Sequence, residues 1–274
     1  MKTSRKSLHG FRKNINRRET EKMKKSQLAV QLYTLRKYLN TPGSVDRAFA
    51  RIRETGYEAV QVSGVGAPYA AVKKAADANG LTICASHPTS ADLLNNRAAV
   101  IEREKTLGCT QTVFSCADES QLLDREATIE FAHELEEAAL ELEKNGITLS
   151  YHNHNMEFIR FGSDFALELI YANAPHLKVE IDTYWVQMGG CDPAEWVAKY
   201  PGRQVLFHLK DFLPLRFTNT MAPVGTGNLN WNKIVPAAEK AGVQWFIVEQ
   251  DDCSKDPFEC LKDSFDYLTK NFVK

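Results

Sequence analysis

The sequence predicts one α/β domain, a single (β/α)8 TIM barrel, and three observations carry that expectation. Short runs rich in β-branched and aromatic residues alternate eight times with longer segments of helical periodicity. Five of those helical segments end at or beside a glycine, the residue that accepts the left-handed conformation closing a helix. The first strand runs into Leu35-Arg36-Lys37-Tyr38 rather than a glycine-rich phosphate loop, and no GxGxxG or Walker sequence occurs, which disfavours an open doubly wound sheet.

The strands are expected at Leu28–Tyr33, Ala59–Val62, Thr82–Ser86, Thr112–Ser115, Thr148–His152, Lys178–Asp182, Val205–Leu209 and Phe246–Gln250. Helices are expected at Val45–Thr55 before Gly56, Tyr69–Asn79 before Gly80 and Ile101–Leu107 before Gly108. Ala127–Asn145 before Gly146 and Trp231–Ala241 before Gly242 repeat the pattern, and Pro257–Asn271 closes the chain. Strands that follow one another in one direction with a helix between them pair in parallel through right-handed crossovers. Eight such units fill about 250 residues, the usual size of this barrel.

The chain has 274 residues, with 34 Lys+Arg against 35 Asp+Glu. Residues 1–25 hold ten Lys/Arg and two Asp/Glu, so that segment is +8 and the remainder, by difference, −9. The segment is expected to be a basic N-terminal tail, with the barrel domain spanning 26–274 and Met23 an alternative start. An acidic body argues against a nucleic-acid partner, because such binding rests on clustered cations. No apolar run approaches the roughly 18–20 residues that cross a bilayer, so no membrane partner is expected. The six cysteines form no CxxC pair and read as free thiols of a reducing compartment, which makes the expected location cytoplasmic.

Barrel active sites lie at the C-terminal ends of the strands, and the late strands are rich in ionisable groups there. Strand five ends in Tyr151-His152-Asn153-His154, followed by Glu157; strand six has Glu180 and Asp182. Strand seven carries His208 with Lys210 and Asp211 behind it, and strand eight leads into Glu249, Asp251 and Asp252. Their neighbours are apolar, as in Lys178-Val-Glu-Ile-Asp and Trp245-Phe-Ile-Val-Glu. Burying such groups costs several kcal/mol each unless they find partners, and one divalent cation would satisfy several at once. Carboxylates with imidazoles suit Mn²⁺, Zn²⁺, Co²⁺ or Mg²⁺. Tyr33 and His87, at the ends of strands one and three, are candidate substrate contacts.

These residues resemble the sugar phosphate isomerase/epimerase superfamily with the xylose-isomerase-like barrel, which also contains the family 2 AP endonucleases. The resemblance spans residues 27–272. It rests on VQLYTLR at 30–36, YHNHNMEF at 151–158, EIDTYWV at 180–186, HLKD at 208–211, PVGTGNLNW at 223–231 and VEQD at 248–251. It implies one divalent cation, Mn²⁺ first among the options, held by a strand-five carboxylate together with Asp182, His208 and Glu249. Ser150 stands where many relatives have the strand-five glutamate, so Glu157 is taken as that ligand, with His152 or His154 as substitutes. Trp185 stands where many relatives have a histidine, and offers a ring face for a sugar but no metal-binding lone pair. That departure and the acidic body set the chain apart from the nuclease.

The resemblance implies an isomerase or epimerase of a small-molecule sugar or keto-sugar, working through an enediolate. Glu249 is the expected base and Glu157 its partner, with His152, His154 and Lys210 donating to oxyanions or shuttling protons. The loop Pro223–Asn230 is expected to close over the site. The alternatives are a metal-dependent lyase or dehydratase of a keto-inositol or 3-keto-glycoside, and a non-catalytic carbohydrate-binding barrel. Barrels of this type often pair, so a homo-oligomer is compatible with the reading.

Overall fold

A computed structural model describes residues 22–274 of the chain. Eight parallel strands close into a barrel: β1 (Leu28–Gln31), β2 (Ala59–Val62), β3 (Thr82–Ser86), β4 (Gln111–Phe114), β5 (Thr148–His152), β6 (Lys178–Asp182), β7 (Gln204–Leu209) and β8 (Trp245–Val248). They neighbour one another in chain order, and β1 pairs with β8 through Leu28–Phe246, Ala29–Ile247 and Val30–Val248. This is the expected (β/α)8 architecture. No helix among the described residues is long and apolar enough to cross a membrane.

Period-two alternation splits the core into two layers. Outward side chains such as Val30, Val60, Val62 and Phe207 pack under the helices in one large cluster, which includes Phe49, Leu135 and Ile234. Inward side chains Ala29, Ala59, Val113, Leu206 and Ile247 fill the lower barrel. Two residues further along the same face the chemistry changes: Ala29 is followed by Gln31, Ala59 by Gln61, Leu206 by His208 and Ile247 by Glu249. The polar layer therefore sits directly on an apolar plug, and every one of these four polar side chains is at most 5% exposed.

The expected helices form, with boundaries set by caps that the periodicity did not register. The first begins at Pro42, where Thr41 accepts from the Ser44 N–H, and ends at Gly56. Gly56 has φ 114°, and a Cβ there would lie 2.5 Å from the Phe265 ring, so both conformation and packing require glycine. The helix Arg97–Leu107 starts four residues earlier than expected, and the long helix begins at Arg125 because Asp124 caps the Ala127 N–H at 2.8 Å. β1 ends at Gln31 rather than Tyr33, because Leu32–Tyr38 winds into a 3-10 helix.

The basic tail, as far as residue 21, lies outside the described residues. Residues 22–25 are packed onto the barrel: Met23 is 1% exposed, its N–H donates to Glu239 Oε1 at 3.0 Å, and Lys22 pairs with Glu239. All six cysteines are free, with Cys84, Cys109 and Cys260 buried and Cys116 exposed.

Candidate active site

Four strand ends deliver a compact group. His152 ends β5, Asp182 ends β6, His208 lies near the end of β7, and Glu249 follows β8; one ligand atom from each lies within 4.8 Å of the others. His208 Nδ1 is 2.9 Å from Glu249 Oε2 and 3.7 Å from Asp182 Oδ2, and His152 Nε2 is 4.0 Å from that same Asp182 oxygen. The Lys210 ammonium sits among the carboxylates, 2.7 Å from Glu249, 3.1 Å from Asp182 and 3.2 Å from Asp251.

The electrostatics follow from this crowding. Burial alone would raise the carboxyls of Asp182 and Glu249, but Lys210 and His208 outweigh it and hold both below the usual range. Burial alone would lower His208 and Lys210, but Glu180 and Glu249 for the first, and Asp182 and Glu249 for the second, raise both. Asp251 moves the other way: burial and the neighbouring Glu249 push it up to about 6. His154 is pushed down to about 3 by burial, with His152 and Lys210 adding to the shift.

The residues fit a divalent cation. Asp182 Oδ2 is buried without a well-directed hydrogen bond, with His152 Nε2 4.0 Å and His208 Nδ1 3.7 Å from it, whereas the likewise unmatched His152 Nδ1, Glu180 Oε2 and His87 Nε2 face one another on the neighbouring side. Oxygen and nitrogen ligands about 3–4 Å apart can share an ion at about 2.0–2.2 Å. Two imidazoles with two carboxylates match the preferences of Mn²⁺, Zn²⁺ or Co²⁺.

Glu157 does not join this group. The 3-10 turn Met156–Phe158 folds its carboxylate back beneath the loop, where Tyr151 Oη donates to Oε1 at 2.7 Å and the His154 N–H donates to Oε2 at 2.9 Å. Both oxygens are used in fixing the chain after β5, and His152, named as a substitute, stands in the strand-five position. The Pro223–Asn230 loop is likewise not a free lid. Asp211 accepts from the N–H groups of Phe212, Gly225, Gly227 and Leu229 and from Trp231 Nε1, at 2.7–3.2 Å. Gly227 lies so close that a Cβ would be 2.5 Å from the carboxylate.

Above the group opens a cavity of about 380 Å³, with Tyr33, Arg36, His87, His154, Lys210 and Asp251 in its walls. Tyr33 stands at the rim, 37% exposed, with the Arg36 guanidinium 4.4 Å over its ring. His87 lies 3.0 Å from Glu180 and stacks on His208 at 5.7 Å. Trp185 lies behind His154, ring centres 5.1 Å apart, and beneath the Lys210 ammonium at 5.4 Å; it packs against the wall rather than lining it.

Sequence reasoning missed Gln31 and Gln61, which reach from β1 and β2 into the polar layer, where Gln31 donates to Gln61 and Gln61 meets Glu180 and His208. A signal was present: Ala-Val-Gln occurs at 29–31 and again at 59–61, each time within a strand.

The structure is similar to two solved structures of a sugar phosphate isomerase/epimerase from Parabacteroides distasonis. One has a TM-score of 0.77 at 23% identity, covering 92% of this chain and 96% of that one. The other has the same TM-score at 24% identity, covering 90% and 99%. A probable 3-DHS dehydratase of Bacillus anthracis matches with a TM-score of 0.69 at 13% identity over 91% of this chain and all of that one, so this architecture hosts more than one reaction. No curated protein matches the chain significantly. The family model for the xylose isomerase-like TIM barrel matches residues 49–271, and the chain belongs to that family.

Proposed function

We propose that the chain is a divalent-cation-dependent isomerase or epimerase of a sugar or keto-sugar, with His152, Asp182, His208 and Glu249 holding the cation. The convergence of these four side chains from four strand ends beneath one cavity carries the reading. Mn²⁺ is the first choice, with Zn²⁺, Co²⁺ and Mg²⁺ behind it. When bound, the cation supplies a Lewis acid that polarises a carbonyl and stabilises charge on its oxygen.

The chain's own groups divide the remaining work. Glu249 is a weak base while Lys210 and His208 hold its carboxyl low, so it serves as ligand rather than proton acceptor. Asp251, with its carboxyl near 6, is the better matched acid and base, and His154, pushed down to about 3, faces the cavity as a neutral imidazole that hydrogen-bonds substrate oxygens rather than carrying protons. Lys210 lies between the centre and Asp251 and donates to a developing oxyanion. Tyr33 offers its ring face to the sugar, and His87 and Arg36 donate to hydroxyls. Glu157 holds the loop that carries His154.

The test is a panel of aldoses and ketoses incubated with the protein and Mn²⁺ in D2O. Deuterium entering beside the carbonyl, with products otherwise of unchanged mass, is the expected result. Loss of water or an aglycone makes the enzyme a lyase. Purified protein that holds no stoichiometric divalent ion, and takes up none from Mn²⁺, leaves a carbohydrate-binding barrel.

A further inference from the structure

A row of buried side chains crosses the barrel beneath the four-residue group. Gln31 Nε2 donates to Gln61 Oε1 at 2.8 Å, Gln61 Nε2 donates to Glu180 Oε1 at 2.6 Å, and Gln61 Oε1 lies 2.6 Å from His208 Nε2. All four side chains are at most 1% exposed, so these contacts decide which way each amide points.

The direction of the row is set from both ends. The Tyr33 backbone N–H can only donate, and it reaches Gln31 Oε1 at 3.4 Å, which leaves the Gln31 amino group for Gln61 Oε1. The Gln61 amino group then faces Glu180, whose carboxylate accepts. Gln61 thus presents a carbonyl oxygen to His208, and only a protonated Nε2 can answer it. The other ring nitrogen, Nδ1, is the one that faces Glu249 and Asp182.

We propose that Gln61, oriented by Gln31 and Glu180, is a positioning residue that keeps the His208 proton on Nε2 and aims the Nδ1 lone pair at the cation. The inference rests on the metal-centre reading and names what holds one ligand in register. On this arrangement His87, Glu180 and His208, whose ligand atoms also lie within 4.8 Å of one another, would not hold a second cation. That site would need the Nε2 lone pair, which the Gln61 carbonyl rules out.

The experiment uses Zn²⁺, which is diamagnetic. Long-range ¹H–¹⁵N spectra of the Zn²⁺-loaded full chain read the His208 tautomer, and competition with a chelating dye gives Kd. Wild type is expected to carry its proton on Nε2. Gln61→Met, which keeps the length and removes the amide, is expected to bind Zn²⁺ about 10- to 100-fold more weakly, the usual effect of losing a ligand's outer partner. Gln31→Met, one step further away, loses less and serves if the first variant does not fold. A wild-type proton on Nδ1, or a folded Gln61→Met protein with unchanged Kd and tautomer, overturns the proposal. Wild type that binds no Zn²⁺ overturns the metal-centre reading and the inference with it, before any variant is made.

Discussion

The first four strands and the last four face the same interior with different chemistry. β1 to β4 read LAVQ, AVQV, TICAS and QTVF, with no Asp, Glu, Lys, Arg or His among them. β5 to β8 and the residues just after them supply His152, Glu180, Asp182, His208, Lys210 and Glu249. The carboxylates and the buried ammonium therefore gather in one half of the barrel, and the facing half answers with the Gln31 and Gln61 amides and, just after β3, the His87 imidazole against Glu180. The contrast teaches that a charged centre needs a neutral counterpart to hold its members in fixed orientations.

Changing the charged half is expected to have the largest effects. Asp182→Ala removes one of the four proposed ligands, and divalent-ion affinity measured by calorimetry is expected to fall by more than about 100-fold, beyond the range of an outer partner. Were the fall no larger than for Gln61→Met, the two halves would not differ in kind. Lys210→Met leaves Asp182 and Glu249 facing each other without the ammonium, and the metal-free protein is expected to lose about 3–5 kcal/mol of stability in urea titrations. Added Mn²⁺ should restore most of that loss in the variant.

Asp211 sharpens the comparison, because it belongs to the charged half by position but spends its charge on structure. Asp211→Ala unpairs five donors, and a loss of about 2–3 kcal/mol is expected, with the Pro223–Asn230 amides exchanging faster and ion affinity preserved. The smallest effect concerns pH. A carboxyl raised on folding binds protons more tightly in the folded state, so Asp251 weakens stability as pH rises from about 4, its unfolded value, to about 6. Tm of metal-free Asp251→Asn is therefore expected to gain on wild type across that window and run parallel to it above. A constant difference would show that Asp251 titrates normally.

The barrel was legible because its signals are local: period-two runs, helical periodicity, and glycines such as Gly56 that close the helices. Asp182, His208 and Glu249 were legible as charges in apolar strands, a pattern that is costly unless the groups converge. The strand-five member of the group was not, because chain proximity favoured Glu157, whereas a short turn carries that carboxylate back onto Tyr151 and the His154 N–H. Gln31 and Gln61 escaped notice since a neutral amide in a strand carries no such cost signal. The Pro223–Asn230 loop was expected to close over the site, yet the Gly225 and Gly227 N–H groups both point at Asp211, fourteen and sixteen residues earlier.

The tethering of the 223–230 loop to Asp211 fixes the chain between β7 and β8, whereas part of the cavity rim comes from the other half of the barrel. There the rim is made by Tyr33, Ser63 and Cys116, side chains that follow strands of the uncharged half, while Arg36 beside them also donates to the Asp251 carbonyl at 2.7 Å. Exchange of the first three would retune which ligand the cavity admits and leave the ionic apparatus untouched. Diversification of substrate taste without reinvention of chemistry is what such an asymmetric vessel permits.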